Sequence, residues 1–165
     1  MRKLIAALLL VFPAVVHAGP DRPDFDEEAP WVELQATLPP YPKEENLLPF
    51  YVSAATDNRF FVDGTSINVG ADGVVRYVLV VRSATGASNV SFEGIRCATR
   101  EKKVYAFGRA DGTWVKARVS TWEPISYQDR NRQHHVLHQD FFCPDKLPVA
   151  SSEAAVAALK GAIKP

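Results

Sequence analysis

The sequence predicts an α+β fold: an antiparallel, bulged β-meander of five to seven strands with one or two C-terminal helices packed on it and a proline-rich N-terminal arm. Three observations carry this. Asp63-Gly64, Asp72-Gly73 and Asp111-Gly112 are Asp-Gly dipeptides set between β-type runs, and that dipeptide supplies the positive φ a tight hairpin turn requires. Val74–Arg82 carries Val75, Tyr77, Leu79 and Val81 on one face and Val74, Arg76, Val78, Val80 and Arg82 on the other. A strand apolar on both faces in its middle is central, with something packed on each side. Beyond Trp122 the spacing changes: His134, Leu137, His138 and Phe141 fall at i, i+3, i+4 and i+7, one face of a helix.

Met1–Ala18 has the pattern of a cleaved signal peptide. Arg2 and Lys3 precede an apolar run from Leu4 to Val16, and Val16-His17-Ala18 offers small residues where a signal peptidase reads. The run is shorter than the roughly 20 residues that a spanning helix needs. Removing Met1–Ala18 from the 165 residues leaves 147, with 17 basic residues of the original 19 against 19 acidic ones, a net charge of −2. Such a balance lacks the basic footprint of a nucleic-acid binder. No second apolar run is long enough for an integral membrane segment, so the expected localisation is periplasmic.

Cys97 and Cys143 are the two cysteines, and both survive cleavage. In an oxidising compartment an even pair points to a disulfide, with two separate buried thiols as the alternative. Closing that loop stabilises the fold by about 4 kcal/mol in the loop-entropy model, as an upper figure.

In chain order, residues 19–49 form an acidic, proline-rich arm, in which Trp31, Leu34 and Leu38 at helical spacing allow a short helix over Pro30–Ala36. Residues 50–165 form the single domain. In Ser88–Cys97 the apolar phase passes from Val90 and Phe92 to Ile95 and Cys97 across Gly94, as a β-bulge would produce. Val104–Phe107 and Trp114–Val119 then read as a hairpin about Asp111-Gly112. Ser126 with Asp129 has the form of a capping box opening a helix that runs to Phe142, although the stretch can also be phased as a strand. Ser151 or Ser152 caps a last helix striped by Val156, Leu159 and Ile163.

Chemistry is sparsely signalled. His134 and His138 lie one helical turn apart and could share a metal, but a catalytic zinc site needs a third protein ligand. Glu123, Asp129 or Asp140 are the acids at hand, and no HExxH pattern occurs. The competing reading places both histidines in the helix–sheet seam beside Leu137 and Phe141. No nucleophile elbow, C-x-x-C pair or phosphate-binding glycine loop is present, and no cofactor is expected. Arg96, Arg100, Lys102 and Lys103, followed by Tyr105 and Trp114, form a candidate binding surface for an anion or saccharide. A solvated sheet edge guarded by basic residues is the plainer explanation.

Gly73–Arg82, Gly86-Ala87, Phe92–Cys97, Asp111–Trp114, Trp122, Asn131, His135, Leu137 and Asp140–Cys143 together resemble the uncharacterised bacterial family named after a cryptic neisserial protein. The resemblance spans roughly residues 26 to 145. It implies an exported Gram-negative envelope protein of unknown biochemical function and brings no catalytic residues. The expected function is therefore a non-enzymatic module that binds an envelope protein or a small ligand. The alternative is a small metal-dependent or acid/base hydrolase using the His134–His138 segment.

Overall fold

The computed structural model describes residues 30–128 and 132–162. The expected signal peptide, Asp129 of the expected capping box and Ile163 of the last stripe lie outside the described residues. The chain divides into two units between Trp31 and Val32, and of the first unit only Pro30 and Trp31 are described.

Among the described residues, eight strands form one antiparallel sheet. They are β1 (Leu47–Phe50), β2 (Arg59–Asp63), β3 (Asn68–Val69), β4 (Val74–Arg82), β5 (Ser88–Arg96), β6 (Glu101–Gly108), β7 (Trp114–Lys116) and β8 (Glu123–Pro124). The order is β1-β2-β4-β5-β6-β7, with β3 also on β4 and β8 also on β6. Eight is one more than the expected maximum of seven; β3 and β8 have two residues each, too short for any periodicity to reveal. Pro49 sits in β1, an edge strand paired only to β2, where a missing N–H is tolerated.

Three hairpins close with one turn design. The N–H groups of Gly70, Ser83 and Arg109 donate to the carbonyls of Val74, Ala87 and Thr113 at 2.9, 2.9 and 2.8 Å, and those of Gly73, Gly86 and Gly112 donate back to the turn's first carbonyl. The three closing glycines have φ of +76°, +88° and +81°, which only glycine adopts without strain. Asp72-Gly73 and Asp111-Gly112 thus act as expected. Asp63-Gly64 does not: Gly64 lacks a positive φ, and Asp63 instead accepts from the Thr65 N–H at 2.9 Å in a local turn. The third such hairpin is closed by Thr85-Gly86.

Strand β4 is buried from Val74 to Val80, so both of its faces are covered. On one side Val75, Tyr77, Leu79 and Ile95 meet the C-terminal helices; on the other Val78, Val80, Val90 and Phe92 meet the arm through Ala36 and Tyr41. Strand β5 keeps a regular alternation throughout, and its apolar phase changes because its two halves feed different cores. The bulge is real but lies on β6: Phe92 pairs with Ala106 and Glu93 with Val104, leaving Tyr105 as the extra residue. Gly94 has a steric role here. A Cβ on it would stand 2.8 Å from the Tyr105 hydroxyl oxygen, so the missing side chain makes room for the tyrosine.

Two serines repair the sheet where short edge strands leave gaps. Between β2 and β3 the Ser66 hydroxyl accepts from the buried Val78 N–H at 2.8 Å and donates to the Asp63 carbonyl at 2.7 Å. Between β7 and β8 the Ser120 hydroxyl donates to the Val104 carbonyl at 2.8 Å.

The expected helix over Pro30–Ala36 is absent; that stretch has no regular secondary structure. Leu34 gives its N–H to Asp72 at 2.8 Å and its carbonyl to Arg76 at 2.9 Å, so its backbone groups are bound to the sheet rather than to a helical turn. Ser126 caps no helix either: it accepts from the Gln128 N–H at 3.0 Å, and α1 (Gln133–Val136) begins seven residues later. It runs on as a π-helical turn, Leu137–Phe142, closed by the Cys143 N–H on the His138 carbonyl at 2.9 Å. The wider winding brings Leu137, His138, Phe141 and Phe142 into the core together, one more residue than the α-helical spacing provides. A 3-10 turn at Pro144–Lys146 leads to α2 (Ser152–Gly161), whose N-cap Ser151 accepts from the Ala154 N–H at 3.2 Å. Cys97 and Cys143 form a disulfide that ties the end of the central β4–β5 pair to the end of the π-helical turn.

Ser66 supplies a prediction. Removing its hydroxyl leaves the buried Val78 N–H without an acceptor, so Ser66→Ala should cost about 1–3 kcal/mol in urea unfolding. A loss under 0.5 kcal/mol, the range of ordinary surface substitutions, contradicts the assigned role.

Candidate functional site

The six residues of the sequence-derived binding surface do not share one place. Arg96 pairs with Glu101 at 3.6 Å and Lys102 with Glu123 at 3.5 Å, both beside the β5–β6 end. Lys103, Tyr105 and Trp114 are covered by the arm, and Arg100 stands apart beside the helical segment.

Under the arm, Glu33 is the hub. One carboxylate oxygen accepts from Tyr105 Oη at 2.8 Å, and the other from Lys103 Nζ at 2.8 Å and Trp122 Nε1 at 3.1 Å. Burial raises the Glu33 pKa, but the bonds from Lys103, Tyr105 and Trp122 and the Lys103 charge outweigh it, and the net shift is downward. Burial and the Glu33 bond push the Tyr105 phenol up. Farther along, Trp114 Nε1 donates to the Pro39 carbonyl at 3.0 Å while the Tyr41 ring packs on Trp114 with centroids 5.5 Å apart.

Arg76 is the buried charge of this face, 5% exposed. It grips Asp72 with both terminal nitrogens, at 3.2 and 2.7 Å. Burial raises the Asp72 carboxyl, but bonds from Arg76 and from the Leu34 and Val74 N–H groups bring it below its ordinary value. A Cβ at Gly70 would lie 2.2 Å from Asp72 Oδ1, so this pair needs a glycine at that turn. The Arg76 Nε is buried without an acceptor. Arg76 also lines a cavity of about 460 Å³ between arm and sheet, with Leu34, Leu38, Pro39, Ile67 and Phe92 among its walls.

The opposite face holds a second buried carboxylate. Glu93 accepts from Ser91 Oγ at 2.6 Å and Tyr77 Oη at 3.1 Å, and its Oε2 lies 2.7 Å from His134 Nε2. Burial raises Glu93, and the His134 charge with the bonds from His134, Ser91 and Tyr77 brings it below the ordinary value. His138 Nε2 donates to the Cys97 carbonyl at 3.2 Å. The two candidate metal residues are thus buried in the seam with different acceptors. Among the described residues no group of three His, Cys, Asp or Glu side chains is placed to hold a metal ion.

Arg100 borders a separate cavity of about 470 Å³ with Tyr127, His138, Gln139, Cys143 and Lys146. Its guanidinium lies over the Tyr127 ring, 3.7 Å from the centroid, donates to the Tyr127 hydroxyl, and donates to His135 Nδ1 at 2.8 Å. Burial and then the Arg100 charge lower the His135 pKa. Burial lowers His138 more than the Cys97 carbonyl raises it, with Arg100, His135 and Lys146 adding to the fall.

Sequence reasoning missed Glu33, Asp72 and Glu93. The available signals were Arg76 in mid-strand among valines and Glu93 beside a strand glycine: a charge at a buried position demands a partner.

Residues 26–160 match the model of the CNP1-like family. The chain belongs to that family. It is 28% identical over 144 residues to Cryptic neisserial protein 1 of Neisseria gonorrhoeae, covering 78% of this chain and 70% of that protein. No solved structure matches. The family is uncharacterised, so membership carries no reaction, and the site must be argued from its own geometry.

The lowered groups set the acid response. His135, His138, Glu93, Glu33 and Asp72 all have folded pKa values below their ordinary ones, so the unfolded chain binds protons first and acidification destabilises. The histidine contribution is intact above the ordinary value of 6.5 and is lost as pH falls below it. The Glu contributions follow below 4.5. A melting profile should therefore fall in two stages, and His135→Gln with His138→Gln should remove the first; a wild-type midpoint flat from about pH 7 to 5 contradicts this. Glu93→Gln should cost about 3 kcal/mol at neutral pH in urea unfolding, the lower end for a broken buried pair.

Proposed function

We propose that this CNP1-like protein is an exported, periplasmic, non-enzymatic binding module of the Gram-negative envelope. Its ligand site is the cavity between arm and sheet. Export is supported by the leader-like pattern of Met1–Ala18 and by the Cys97–Cys143 disulfide, which suits an oxidising compartment. The observation that carries the binding role is Arg76: a buried guanidinium that lines, beside Leu34, Leu38, Ile67 and Phe92, a cavity of mixed apolar and polar walls. Ligand sites combine an apolar body of this size with few fixed polar groups. The fitting ligand is a small molecule with an apolar body and one carbonyl or carboxylate acceptor. The Arg76 charge is already balanced by Asp72, so a neutral carbonyl suits it as well as an anion.

A thermal-shift screen of apolar amides and carboxylates against the mature protein tests this. Saturable stabilisation is expected, about 2.7 kcal/mol at 100 times the dissociation constant. Leu38→Trp, which places an indole at the half-exposed wall, should abolish the response while leaving the unliganded midpoint nearly unchanged. No response across the panel, or an equal one in Leu38→Trp, overturns the reading.

The hydrolase alternative requires His134 and His138 to be available, and both Nε2 atoms are engaged inside the seam. Saturating zinc should leave the melting midpoint unmoved, and His138→Ala should cost on the order of 1–3 kcal/mol through a lost bond and a cavity. A zinc-dependent rise that disappears in His138→Ala would restore the metal reading.

A further inference from the structure

The disulfide joins two turns that both end in a left-handed cation, although the second is left-handed at Asp145 as well. Cys97 opens a turn whose carbonyl accepts from the Arg100 N–H at 3.4 Å, and Cys143 opens one whose carbonyl accepts from the Lys146 N–H at 3.1 Å. Each turn runs from a half-cystine to a cation three positions on. Each cation has left-handed backbone, Arg100 at φ +56° and Lys146 at φ +64°. Among the described residues, these two and Asp145 are the non-glycine residues with positive φ, and all three line the cavity beside the disulfide. Non-glycine residues hold such backbone only where their surroundings impose it, and such positions cluster at ligand clamps.

The charge at this place is unbalanced. Arg100 makes no ion pair with a carboxylate among the described residues: its partners are the Tyr127 hydroxyl and His135 Nδ1. Since a guanidinium only donates, that imidazole nitrogen is unprotonated. Tyr127, having accepted from Arg100, keeps its own proton to donate onward. Lys146 is exposed and adds a second cation, while Asp145 is the sole carboxylate in the wall. The lowered pKa of His138, to which Arg100 and Lys146 both contribute, agrees with a positive potential there.

We propose that the cavity between the Cys97–Arg100 and Cys143–Lys146 turns is a binding site for a small tetrahedral oxyanion of the phosphate class, held by Arg100 and Lys146 and kept open by the disulfide. A planar carboxylate suits it less, because both terminal nitrogens of Arg100 already donate and the planar fork is not presented whole. Cations on two separate turns, with Tyr127 and Gln139 lining the same cavity, suit a tetrahedron better. The site is separate from the arm cavity and stands on different residues.

Calorimetric titration of the mature protein with inorganic phosphate, at constant ionic strength in chloride, tests it. Saturable one-to-one binding is expected. Arg100→Asn and Lys146→Asn should each weaken it at least tenfold, asparagine being chosen because it tolerates left-handed backbone. Reduction with dithiothreitol should weaken it similarly, by freeing the two turns, and Leu38→Trp should leave it unchanged. If the reduced protein or Arg100→Asn unfolds, the exposed Lys146 position still decides the matter. Glycerol 3-phosphate binding as tightly as phosphate assigns a phosphomonoester ligand, and phosphate binding alone assigns the free ion. Acetate binding more tightly than phosphate, a response no greater than chloride's, or unchanged affinity in Lys146→Asn overturns the proposal.

Discussion

Strand β4 lies in the middle of the sheet and is buried on both faces, and most other features answer that constraint. Its valines, Tyr77 and Leu79 are covered by helices on one side and by the arm on the other. Burying one such side chain is worth about 1.5–3 kcal/mol, so a missing cover on either side would expose a whole row. Residues 30–43 of the arm, rich in proline, have no regular secondary structure. Their backbone groups are instead handed to side chains of the sheet: Leu34 to Asp72 and Arg76, Pro39 to Trp114. The arm stays in place because the sheet carries polar groups where it lands.

Each face consequently holds a carboxylate with several donors, half-buried on the arm side and buried on the helix side. Glu33 brings its charge from the arm to Lys103, Tyr105 and Trp122; Glu93 receives His134, Tyr77 and Ser91 on the helix side. Such clusters resemble catalytic constellations in composition, but both carboxylates are fully engaged by internal donors. A buried pair adds little net stability while its breakage costs a great deal. Their effect here is positional: Glu33 ties the arm to β6 and Trp122, and Glu93 ties α1 to β5.

The strands of the meander were legible because alternation and turn chemistry are local. Val74–Arg82 read as a doubly covered strand because its valines continue on both faces, and two of three Asp-Gly turns followed from the demand for positive φ. The helical segment was legible in its face but not in its winding: His134, Leu137, His138 and Phe141 fit an α-helical stripe, whereas burial of Phe142 beside Tyr77 needs the π turn. The bulge left a trace at Gly94, but the extra residue sits on the neighbouring strand. The site was less legible because its parts meet across the chain. Glu33 lies 70 positions from Lys103, and no spacing rule joins them. The basic cluster from Arg96 to Lys103 is one run in sequence, yet strand alternation and the turn at Arg100 send its members to different places.

That dispersal separates structural charges from available ones. Lys103 is committed to Glu33 of the arm, and Arg76, although balanced by Asp72, also lines the arm cavity. Arg100 differs because its position follows a turn, not a strand: the residue points out of the sheet, stacks on Tyr127 and meets no carboxylate among the described residues. The disulfide brings a second turn, which also ends in a left-handed cation, alongside it. A loop-closing bond stabilises wherever its ends are fixed, but stability alone does not require both half-cystines to open turns that end in left-handed cations. Those turns could relax if holding the chain together were the bond's only effect, so their shared geometry argues for a role in shaping the cavity they enclose.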